Sequence, residues 1–74
     1  MDELKFEIVR SIGELSVSKK GWIKEVNLVS WNERPAKVDI REWDKTHDKM
    51  KKGITLTEDE VLKLKELLNN YQVE

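Results

Sequence analysis

Helical periodicity occurs once in this chain, and it comes last. Upstream of Thr57 the apolar residues fall at about every second position, the spacing of strands, whereas Val61, Leu64, Leu68 and Tyr71 fall along one face of a helix. Thr57 followed three residues later by Glu60 is a capping-box signature. Glu58, Asp59 and Glu60 also place negative charge where a helix N-terminus favours it. The pattern predicts a helix from Glu58 to about Tyr71. Leu62 and Leu67 widen its apolar face beyond what one small sheet needs, so the face of Val61, Leu64, Leu67, Leu68 and Tyr71 is expected to meet a partner helix as well. A chain of 74 residues, read as one domain over 1–74, buries a marginal core of its own, and association is a common remedy.

Upstream, Leu4, Phe6 and Ile8 alternate with Lys5, Glu7 and Val9, predicting a first strand. Ile12 and Gly13 interrupt it, and Leu15 and Val17 resume in the other parity, as at a bulge or bend at Gly13. Ser18 to Gly21 reads as a hairpin turn, and "WIKEVNLVSW" as the second strand, with Trp22, Lys24, Val26 and Leu28 of one parity and Ile23, Val29 and Trp31 of the other. After the turn at Asn32 to Ala36, "KVDIREW" sets Val38 and Ile40 on one face and Asp39, Arg41 and Trp43 on the other. A polar loop, "DKTHDKMKK", leads to a fourth strand with Ile54 and Leu56 turned inward. The expected fold is α+β, a four-stranded antiparallel β-meander followed by one C-terminal helix (β-β-β-β-α). One helix covers one face. The other face is expected to be open and to carry Arg41 and Trp43, with Trp22, Lys24 and Trp31 joining them through twist and bulging.

The formal net charge of -1 conceals a division along the chain. Lys and Arg against Asp and Glu count two to four over 1–18, ten to six over 19–52 and two to five over 53–74. The basic middle also holds all three tryptophans, Trp22, Trp31 and Trp43. Aromatic rings for stacking bases and cations for following phosphates are what unpaired nucleic acid requires. The same tryptophans also suit a protein-interaction module. Duplex readout is disfavoured, because the predicted helix is acidic at its start and holds only Lys63 and Lys65. Catalysis finds no constellation: the one histidine, His47, lies in the lysine-rich loop, and Gly13, Gly21 and Gly53 are scattered rather than gathered into a phosphate loop. No metal or other cofactor and no small-molecule substrate is expected. The absence of cysteine and of a long apolar run predicts a cytoplasmic protein with no membrane partner.

"VDIREW", the loop ending in "DKMKKGITLT" and the helix with "LKLKELL" resemble the C-terminal domain of the transcriptional coactivator positive cofactor 4. "FEI", "KGW", "KEVNLVSWN" and "KVDIREW" are similar to its short bacterial, YdbC-type members. The resemblance implies a homodimer with helices at the interface, binding single-stranded DNA with little sequence preference across concave sheet faces, in transcription regulation or in DNA replication or repair. RNA binding is the alternative. It carries contact roles onto Lys24, Trp31, Arg41, Trp43, Lys51 and Lys52. Trp22 joins them as a stacking ring, Lys49 as a phosphate contact, and Lys19 and Lys20 as the groove edge. The coactivator's tryptophan follows its arginine by three residues, whereas Trp43 follows Arg41 by two. Asp39, on the strand face of Arg41, is expected to orient that guanidinium.

Overall fold

The computed structural model of the protein describes residues 4–73, so the first three residues of the N-terminal stretch lie outside it. Four strands, β1 (Phe6–Val17), β2 (Ile23–Trp31), β3 (Lys37–Trp43) and β4 (Ile54–Leu56), precede one helix, α1 (Glu58–Asn70). Each strand pairs antiparallel with its neighbour in sequence, in the order β1-β2-β3-β4. The meander and the C-terminal helix are as the periodicity predicts, and their boundaries have local causes. Gly21 takes a φ of 89° in the first turn, where Trp22 N–H donates to Ser18 Oγ at 3.0 Å. At the helix start both halves of the capping box close: Glu60 N–H donates to Thr57 Oγ1 at 3.2 Å, and Thr57 N–H to Glu60 Oε1 at 2.8 Å. Gly53 permits a close approach, since a Cβ there would collide with the Cβ of Arg41 and the carbonyl of Ile40.

β1 bends more than one glycine suggests. Its 12 residues lie along the 9 of β2, and the register shifts between Ile8 and Arg10, Ser11 and Gly13, and Glu14 and Ser16. Gly13 marks the second shift. The other two skip Val9 and Leu15, where no glycine marks the break. Each bulge bends the strand and adds twist. The curvature is large: Phe6 pairs with Trp31 and Trp43 with Ile23, at opposite ends of β2, yet the Phe6 and Trp43 rings lie 5.1 Å apart between centroids.

β2 and β3 pair without any shift from Ile23↔Trp43 to Val29↔Lys37, and that fixes the faces. Val26, Leu28, Val38 and Ile40 share one face with Ile54 and Leu56 of β4. On this face α1 rests against β3 and β4, with Val61 closing a groove lined by Leu28, Val38 and Leu56. The cover is partial. No residue of α1 is buried, Leu62, Leu67, Leu68 and Tyr71 are 58–63% exposed, and Ile54, expected to turn inward, is 55% exposed.

The opposite face corrects a second expectation. It was to be open, yet the buried side chains Glu25, Asn27, Val29, Asp39 and Trp43 all lie on it. Sheet curvature is the reason. The bulged β1 brings Phe6 over this face, and the loop after β3 folds His47 back onto it.

Candidate nucleic-acid interface

Alternation along β3 sets Asp39 and Arg41 side by side on the curved face. Arg41 Nε donates to Asp39 Oδ1 and Nη2 to Asp39 Oδ2, both at 2.7 Å, the planar two-bond fork that a guanidinium and a carboxylate form best. Thr55 Oγ1, across on β4, donates to Asp39 Oδ2 at 2.9 Å. Asp39 thereby orients Arg41, as their shared parity suggested. Above the fork, Cζ of Arg41 lies 4.5 Å from the centroid of the Trp31 ring, within cation–π range. Nη1 has only long contacts, 3.4 Å to the Lys51 carbonyl and 3.5 Å to Met50 Sδ. That outer edge is what the guanidinium retains for an anion.

Beside this fork lies a second network. Glu25, only 6% exposed, accepts from Asn27 Nδ2 at 2.9 Å and from His47 Nε2 at 2.9 and 3.0 Å. The His47 ring packs 5.4 Å from that of Trp43, Trp43 packs on Phe6, and Phe6 on Trp31 at 5.9 Å. Among the described residues, Asn27 Oδ1 and the Nε1 atoms of Trp31 and Trp43 are buried with no hydrogen-bond partner in the chain. The loop carrying His47 is braced from within. Lys49 N–H donates to Asp44 Oδ1 at 3.1 Å, and this bond holds the Asp44 carboxyl below its ordinary range.

Of the expected contact residues, Trp31 and Arg41 meet directly, and exposed Lys51 and Lys52 lie on the segment leading into β4. Lys49 is exposed at the end of the loop, and Lys19 and Lys20 are exposed in the β1–β2 turn. Trp43 has the expected face but is 0% exposed, so in this conformation it offers no stacking surface. Lys24 is on the other face. With no bulge in β2 to change its parity, it pairs opposite Glu42 and shares the side of Val26 and Ile40. Trp22 precedes β2, and Lys51, whose carbonyl lies 3.4 Å from Arg41 Nη1, sets its Nζ 4.7 Å from the Trp22 ring centroid. Glu25, Asn27, His47, Phe6 and Thr55 were not anticipated in the site. The first two share the parity of Trp31, which is a usable signal. Phe6 shares the face through its register opposite Trp31, but it meets Trp43 only through curvature, and His47 reaches the face only through loop folding, neither of which periodicity encodes.

Known proteins match this chain over most of its length. The family described as Transcriptional Coactivator p15 (PC4) matches residues 18–67. An uncharacterized protein of Treponema pallidum (strain Nichols) is 44% identical over 73 residues, spanning 99% of this chain and 86% of that protein.

Proposed function

The chain belongs to the Transcriptional Coactivator p15 (PC4) family, and from that premise we propose that it binds single-stranded DNA with little sequence preference, as a homodimer, without catalysing a reaction. Membership supports nucleic-acid binding and a coactivator-like role. One observation carries the single-strand reading: Arg41 is locked by Asp39 beneath the half-buried Trp31 ring, with Lys51 and Lys52 exposed close by. A fixed cation beside an aromatic plane meets a phosphate and a base together. Stacking accepts any base, whereas a duplex keeps its base faces covered.

Oligo-dT affinity is expected to fall with salt at a log–log slope of about -0.7 per phosphate contact, and Trp31→Ala to weaken it by about 1 to 3 kcal/mol. Fluorescence titration measures both. Duplex DNA and RNA of matched sequence are the controls, and a strand-indifferent or salt-independent interaction overturns the reading. Preference for ribose strands would favour RNA. Binding to no oligonucleotide would favour the protein-interaction module. Among the described residues no helix is long and apolar enough to cross a membrane. The proposed setting is the cytoplasm, in transcription regulation or DNA replication and repair.

The exposed apolar side chains of Leu67, Leu68 and Tyr71, which share one side of α1, and the half-covered Ile54 support the homodimer. Leu68→Glu is expected to leave monomers or unfolded chain in sedimentation velocity, because it places a charge in an apolar contact. A folded dimer carrying this substitution would place the interface elsewhere.

A further inference from the structure

The loop between Trp43 and Met50 crosses the buried face without joining the sheet. It is tied at its root, where Trp43 bridges Met50 and Asp44 N–H donates to the Lys49 carbonyl at 3.1 Å. Its other side-chain bonds are internal, with Thr46 Oγ1 at 3.1 Å from Asp44 Oδ2 and 3.0 Å from Asp48 Oδ2. Among the described residues 45–48, His47 alone hydrogen-bonds to another element, and it does so through Glu25. A loop closed at the root and fastened at one distal side chain has the construction of a hinged lid.

We propose that this loop is a lid, latched by His47 on Glu25, which a single strand displaces so that one base reaches Trp43 and Asn27. The proposal rests on the single-strand reading and adds to it a covered base position. What lies beneath the lid is the argument for its occupant. Trp43 has a full indole face with no exposure, and its Nε1–H is unpartnered. Asn27 is fixed in orientation: the Glu25 carboxylate only accepts, so Nδ2 must face it and Oδ1 must face away, also unpartnered. A buried donor and a buried acceptor without partners each cost stability, so both gain from a ligand that satisfies them. A nucleobase in the place of the His47 ring offers a flat face for the indole and an imide or amino N–H for Asn27 Oδ1, while the in-plane Trp43 N–H is left for a sugar or phosphate oxygen of the same strand. His47 sits at a φ of 61°, a conformation that a residue with a Cβ adopts at a cost, held by its N–H to the Asp44 carbonyl at 3.1 Å.

Two variants loosen the latch without straining the loop. Glycine accepts positive φ freely and asparagine tolerates it, and neither side chain reaches Glu25, so His47→Gly and His47→Asn remove the latch bond and the ring on Trp43 while the loop backbone is kept. His47→Gln keeps a donor of similar reach. Solvent exchange of the Trp43 indole N–H, followed by NMR, reads the lid directly, and oligo-dT titration reads its consequence. In the glycine and asparagine variants the exchange is expected to rise about tenfold and oligo-dT to bind several-fold tighter, the scale of one charged hydrogen bond, while the glutamine variant stays near wild type. Unchanged indole exchange in both loosened variants overturns the lid. Faster exchange with unchanged oligo-dT affinity overturns displacement by the strand. If wild type and variants alike bind no single strand, the functional reading fails and takes the base position with it, while the exchange data still judge the latch.

Discussion

Trp43→Ala is expected to cost about 3 to 5 kcal/mol of folding stability, the range for truncating a large buried aromatic side chain. The ring is 0% exposed and packs on Phe6 of β1 and on His47 of the loop that follows β3. Deleting it removes the contact that holds the bulged β1 and the loop together over the face. A folded domain of this size has a total stability of about 4 to 11 kcal/mol at 0.05 to 0.15 kcal/mol per residue, so the loss is a large share of the whole. Urea unfolding followed by circular dichroism measures it, and Trp43→Phe, which keeps a ring, is expected to lose much less. A cost below about 1 kcal/mol, the size of a surface substitution, would show that the ring is not part of the core. Binding assays on Trp43 variants therefore need the folded fraction measured alongside, whatever role the ring plays towards a ligand.

The strand order, the capped helix and the faces of β3 could be read from the residues because each depends on neighbours close in sequence. Thr57 and Glu60 meet across one helical turn, and Asp39 and Arg41 across one strand period. The closure of the second face depends on something else. It follows from three register shifts in β1, two of them at Val9 and Leu15, where no glycine marks the skip. Of the three, the shift at Gly13 alone is marked by its residue type. Lys24 illustrates the opposite error: twist was expected to bring it beside Arg41, but the unbroken β2–β3 register leaves it opposite Glu42. His47 had no expected place because its contact with Glu25 joins residues 22 apart in sequence through a loop with no repeating pattern.

Asp39→Ala is expected to destabilise the protein by about 3 to 5 kcal/mol, because removing one partner of a buried ion pair strands the other. Asp39 is fully buried and Arg41 keeps only 14% of its side-chain exposure, so water recovers little of the lost interaction. Thr55 loses its acceptor in the same step. Asp39→Ala combined with Arg41→Met separates stability from function. With both charges gone, no charge is left buried and unpaired, and most of the stability is expected to return, since apolar replacements of a buried pair are often neutral or better. Oligo-dT binding is expected to stay weak in that double variant, because the cation beside Trp31 is gone. Chemical denaturation and titration of the same preparations give both quantities. Recovery of both would show that the fork contributes packing alone, and recovery of neither would show that the pair is needed for the fold itself. Stability without binding is the outcome that assigns the pair its role: the cation that the buried Asp39 carboxylate holds against the aromatic plane serves the ligand rather than the fold.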